Sequence, residues 1–128
     1  MKEPGQKLTA NEAKPVIQQF WSTFRDPAKK GGPTWLRLKT QVRATPAVLK
    51  SSALDGFQML YVFFEYERAL WSASASDIRN YFERRSPGDY ADVYVFPPTM
   101  QWCIAYTAED NMGEDVVLLA GDVDLFRG

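Results

Sequence analysis

No histidine occurs among the 128 residues, so acid–base chemistry in this chain falls to carboxylates, and Glu65 and Glu67 are the first pair to weigh. Two apart on a predicted strand, they share a face about 7 Å from each other, a separation not unlike that of the carboxylate pair in some glycosidases. They also close an apolar run, where charged side chains ordinarily mark a strand's emergence into solvent. The absent histidine removes Ser-His and Cys-His nucleophile pairs and every His-containing zinc site. Asp122 and Asp124, with Glu114 and Asp115 upstream, offer oxygen ligands for calcium or magnesium but lack calcium-loop spacing. Lys29-Lys30-Gly31-Gly32 has no phosphate-loop spacing and follows a helix instead of a strand, which excludes a nucleotide loop. Ser51, Ser52, Ser72, Ser74 and Ser76 stand outside any nucleophile elbow and read as cap and loop residues. Cys103, between Trp102 and Ile104 with no base or cation beside it, reads as a buried inert thiol. No catalytic residue, cofactor or metal is expected.

The elements that must position these groups follow from periodicity. Residues 1–8 read as a short, loose, polar lead-in to a single globular domain spanning 1–128. Thr9-Ala10-Asn11-Glu12 has capping-box spacing, although Pro15 suggests that the regular helix starts only near Lys14. Val16, Ile17, Phe20, Trp21 and Phe24 form one apolar stripe, ended by Asp26-Pro27 and the exposed loop 29–33. Residues 35–50 fit both an alternating strand and a helical stripe, and the two readings stay open. Phe57–Glu67 predicts a central strand. Ser74 and Asp77 predict the cap of a second helix that turns Ile78, Tyr81 and Phe82 inward and ends at Arg84, Arg85 and Ser86-Pro87-Gly88. Asp92–Phe96, Gln101–Thr107 and Asp115–Ala120 then read as a β-meander. The expected class is α+β, with helices covering one face of a mostly antiparallel sheet.

At 45% hydrophobic and 24% charged, the chain is built to fold. The Met59–Phe64 run falls far short of the roughly 20 residues of a membrane helix. One cysteine and no apolar leader make the cytoplasm the expected address. The net charge of −1 conceals +7 over residues 1–50 and −8 over residues 51–128. A basic first half containing Trp35, Arg37, Lys39 and Arg43 raises nucleic-acid binding as an alternative, which the estimated pI of 5.4 and the acidic second half oppose.

The segment Asp92-Val-Tyr-Val-Phe-Pro-Pro-Thr-Met-Gln-Trp-Cys-Ile-Ala-Tyr-Thr-Ala-Glu-Asp resembles a pattern of small bacterial domains, several associated with toxin–immunity loci. Phe63-Phe64-Glu65-Tyr66-Glu67 and the polar helix after it are similar in order, so the likeness covers about the last half of the chain. Ala108 stands where the pattern has histidine, a departure that favours binding over catalysis. The resemblance implies a non-catalytic immunity protein that neutralises a cognate toxin by stoichiometric binding. Physics adds that acidic groups suit capture of a toxin with a basic active site, because opposite potentials steer encounter. The expected interface comprises Asp89, Tyr90, Asp92, Glu109, Asp110, Glu114 and Asp115, with Tyr94 and Trp102 as further candidate anchors. The competing readings are a nucleic-acid-associated module and a small enzyme using Glu65 and Glu67.

Overall fold

The computed structural model describes residues 4–84, 92–107 and 116–126. Over these the chain runs β1 (Gln6–Lys7), α1 (Ala10–Phe24), β2 (Val42–Ala44), β3 (Leu60–Phe64), β4 (Ala69–Ala73), α2 (Ala75–Arg84), β5 (Val93–Phe96), β6 (Trp102–Thr107) and β7 (Val116–Gly121). Short 3-10 turns occupy Thr34–Leu36, Pro46–Lys50, Ser52–Gly56 and Val123–Phe126. The strands form one sheet in the order β1-β4-β3-β5-β6-β7-β2, every neighbouring pair antiparallel. The α+β class and the meander are therefore as expected.

The cover differs from the expectation of a single covered face. α1 packs Ala13, Ile17, Phe20 and Phe24 onto one side of the sheet, against Phe63, Tyr94, Phe96 and Cys103. α2 packs Ile78, Tyr81 and Phe82 onto the other, against Val62, Val93, Val95 and Ile104. The cause lies in the central strands: β5 and β6 are buried along their whole length, so residues of both parities must be kept from water. Arg79 fastens α2 to the 3-10 turns beside it, donating to Asp55 at 2.8 Å and to the carbonyls of Leu49 and Ser51.

α1 starts at Ala10, not near Lys14. The Thr9 hydroxyl accepts the Glu12 amide at 3.2 Å while the Glu12 carboxylate accepts the Thr9 amide at 2.9 Å, so the first turn is closed before Pro15 is reached. Pro15 costs the helix only the bond that would run to the carbonyl of Asn11, and both residues are exposed. The lead-in also contributes structure, since Gln6 and Lys7 pair with Ser72 and Trp71 at the sheet edge. Residues 35–50 resolve into two 3-10 turns flanking the edge strand β2, which pairs with β7. Ser74 caps α2 as expected, its hydroxyl accepting the Asp77 amide at 3.1 Å. The expected stop signal at 85–88 lies outside the described residues.

Gly121 closes β7 with φ +80°, and a Cβ there would sit 2.6 Å from the Gln101 carbonyl oxygen and 3.1 Å from the Phe24 ring. Both the positive φ and the lack of space demand glycine. Gly121→Ala is expected to cost roughly 1–3 kcal/mol, read as a lower urea midpoint at unchanged slope. An unchanged midpoint would mean that the β6–β7 end relaxes freely.

Candidate functional site

Glu65 follows the last residue of β3 and, by strand parity, points to the α1 side like Phe63. Its backbone stays tied to the sheet through the amide, which donates to the Asp92 carbonyl at 3.1 Å, and its carbonyl accepts the Arg68 amide at 3.2 Å to close the β3–β4 turn. The side chain is 13% exposed, and its carboxylate gathers donors from four residues. Oε1 accepts the Thr34 amide at 2.8 Å and the Tyr94 hydroxyl at 2.7 Å. Oε2 accepts Arg25 Nη2 at 3.1 Å, the Trp21 indole N–H at 3.4 Å and the Thr34 hydroxyl.

The partners are themselves positioned. Arg25 caps the end of α1, donates from Nε to the Thr34 hydroxyl at 2.9 Å and lies 4.2 Å over the Trp21 ring. Burial lowers its guanidinium from the ordinary value; Glu65 opposes that shift and the charge of Arg37 adds to it. Thr34 is fully buried at the start of its 3-10 turn. The Tyr94 hydroxyl accepts the Trp35 amide at 3.0 Å while donating to Glu65, and its proton is held far more tightly than an ordinary phenol's by burial and by the Glu65 charge. With five donors on two oxygens, Glu65 is fully engaged as a structural acceptor.

Glu67 does not join it. Glu65 still pairs with Asp92 at the end of the ladder and keeps the parity of β3, whereas Glu67 lies inside the turn, so the period-2 argument that put both on one face fails at Glu67. Glu67 is exposed beside Lys7, Phe64 and Tyr81, lining a groove of about 230 Å³ on the α2 side. The two carboxylates thus serve opposite faces.

Glu65 lines a groove of about 570 Å³, walled also by Trp21, Arg25, Arg37, Tyr66, Arg68 and Asp92. Tyr66 stands at the tip of the turn with 89% of its surface exposed. Arg68 follows it in the left-handed region at φ 53°, its guanidinium 5.8 Å from the Trp21 ring. Arg37 spends its Nε on the Lys29 carbonyl. Among the described residues neither Arg37 nor Arg68 has a carboxylate within ion-pair distance.

Of the expected interface, Asp92 is described and forms part of this wall. Asp89, Tyr90, Glu109, Asp110, Glu114 and Asp115 lie outside the described residues. Tyr94 and Trp102 are fully buried and present no anchor surface. Arg37, Lys39 and Arg43 do not form one strand face: residues 37–39 bridge to the end of α1, whereas Arg43 lies on edge strand β2. The Trp35 ring packs against the α1-side core and offers no stacking platform. Cys103 is buried, and burial raises its thiol well above the ordinary value. Among the described residues no three His, Cys, Asp or Glu side chains converge to hold a metal ion, and no helix is long and apolar enough to cross a membrane.

No family model matches this chain, and neither does any curated protein or solved structure. The groove is what geometry offers as a site. Its tryptophan belongs to the stripe read from the sequence, but Arg25, Arg68 and Tyr66 carried no periodic signal, because a helix cap and a four-residue turn bring them together.

Proposed function

We propose that this chain is a non-catalytic protein-binding module, acting in the cytoplasm as an immunity-type inhibitor that neutralises a cognate bacterial toxin by one-to-one association. The observation that carries the reading is the contrast between the engaged Glu65 carboxylate and the rest of the groove that it lines. The Glu65 carboxylate is taken up by Arg25, Thr34, Trp21 and Tyr94 as a structural acceptor. The groove, by contrast, presents tryptophan, tyrosine and arginine, the residue types that dominate binding hot spots. The toxin class comes from the resemblance of residues 92–110, and the acidic set around that segment supplies steering toward a basic partner. Asp92 belongs to both the acidic set and the groove wall.

Co-expression with the product of the neighbouring reading frame tests this directly. Growth arrest by that product should be relieved by this chain, and the two should co-purify as a one-to-one complex. Reversing Glu109, Asp110, Glu114 and Asp115 to lysine should weaken capture about tenfold or more through lost steering and repulsion. Arrest that persists at every level of this chain, with no complex formed, would overturn the inhibitor reading, and full capture by the reversed variant would remove the acidic set from it.

A further inference from the structure

We infer that the groove beside Trp21 seats a carboxylate-bearing segment of a protein partner, gripped by Arg37 and Arg68 alongside the fixed guanidinium of Arg25. The inference rests on the protein-binding reading and names the chemistry that this surface takes. Three guanidinium groups meet here. Only Arg25 is matched by a carboxylate; Arg37 and Arg68 line the groove without an acidic partner among the described residues. Guanidinium forks bind carboxylates bidentately, and such pairs are strongest where one partner is already held in place. Arg25 is held by Glu65, Thr34 and Trp21, so part of the ordering cost of a bound carboxylate is met before binding.

The cationic surface continues past this groove. Trp21 and Arg68 also line a second groove of about 280 Å³, which carries Lys14. Lys14 and Arg25 are eleven residues apart on one side of α1, about 16 Å along its axis, the reach of about five extended residues. Such a length suits a short acidic segment better than one isolated ion.

Two observations favour polypeptide over nucleic acid. The Trp21 face that would stack a base already carries Arg25 at 4.2 Å. The wall also includes Glu65 and Asp92, so its signs are mixed. A phosphodiester backbone presents uninterrupted negative charge to these carboxylates, whereas a peptide can set a carboxylate against the arginines and neutral groups elsewhere.

The test uses the full chain and three probes at low salt: fluorescein-labelled hexaglutamate, an eight-nucleotide oligouridylate and inorganic phosphate. Hexaglutamate should bind saturably and shift the Trp21 indole N–H resonance, assigned by its loss in Trp21→Phe. The double variant Arg37→Gln/Arg68→Gln should weaken binding about tenfold or more, while Lys50→Gln, outside the groove, should not. Neither arginine donates to Glu65, and Arg37 gives up only one exposed hydrogen bond, to the Lys29 carbonyl, so the double variant should melt close to the wild type. Absence of saturable binding, equal binding by the double variant, or a preference for phosphate or oligouridylate would overturn the inference. The neighbouring toxin separates this failure from failure of the function. Undiminished neutralisation by the double variant removes the groove and leaves the inhibitor standing; hexaglutamate binding without any toxin complex removes the inhibitor and leaves the groove.

Discussion

Replacing Glu65 by alanine is expected to destabilise the fold by about 3–5 kcal/mol, because it removes the one acceptor shared by a guanidinium, a phenol, an indole, a hydroxyl and a backbone amide. Arg25 has 21% of its side chain exposed, so water reaches it only in part once its counter-charge is gone. Tyr94 and Thr34 are fully buried, and their donors would have nowhere to turn. Glu65→Gln should fall between wild type and alanine. Its carbonyl still accepts from the Thr34 amide and the Tyr94 hydroxyl, but its amide nitrogen would face Arg25, Trp21 and the Thr34 hydroxyl, all of which donate in the native arrangement. Urea unfolding of the three proteins checks the order. A loss below about 1 kcal/mol for Glu65→Ala would show that solvent already screens the cluster, leaving it no better than a surface ion pair.

Phe20→Ala is expected to cost a comparable amount, about 3–5 kcal/mol, or on the order of 10–20 °C in melting temperature for a domain of this size. Phe20 is fully buried and stacks on Phe96 at 4.5 Å, with Phe24, Phe63 and Tyr94 rings at 5.3–5.7 Å. Removing the ring leaves a cavity at the centre of the α1 contact with the sheet and deletes four aromatic pairs at once. The loss should be felt first in α1. Hydrogen exchange should therefore accelerate along Ala10–Phe24 more than along α2, whose contacts lie on the other face of the sheet. Because α1 carries Trp21 and leads into Arg25, the groove should loosen with it. Phe20→Leu, which refills most of the volume, should recover most of the stability. Uniform acceleration across both helices would mean that the two cores open as one unit.

What could be read along the chain and what could not divide by the distance over which each signal acts. Thr9 with Glu12 and Ser74 with Asp77 are three residues apart, and both reciprocal caps form as their spacing dictates. The α1 stripe and the three meander strands follow from periods of a few residues, and the core is built from them. β4 carries no local strand signal, because Ala-Leu-Trp-Ser-Ala neither alternates cleanly nor is rich in branched residues; it is a strand because β3 turns back on it at Glu65–Arg68. β1 is two polar residues whose only reason to be extended is the free edge of β4. Pro15 does not delay the start of α1, since a closed capping box outweighs one missing bond in an exposed turn.

The carboxylates show the same division most sharply. Composition alone determined that this chain has no imidazole and that Glu65 and Glu67 sit at the end of an apolar run. Local pattern alone determined an α+β domain with a capped first helix and a closing meander. Only tertiary structure decided that Glu65 turns inward to partners 29, 31, 40 and 44 residues away while Glu67 is exposed on the opposite face. A cap or a stripe is settled by neighbours within one or two turns of backbone. A buried carboxylate is settled by whichever distant donors the packed sheet brings to it, and no spacing within the strand carries that information.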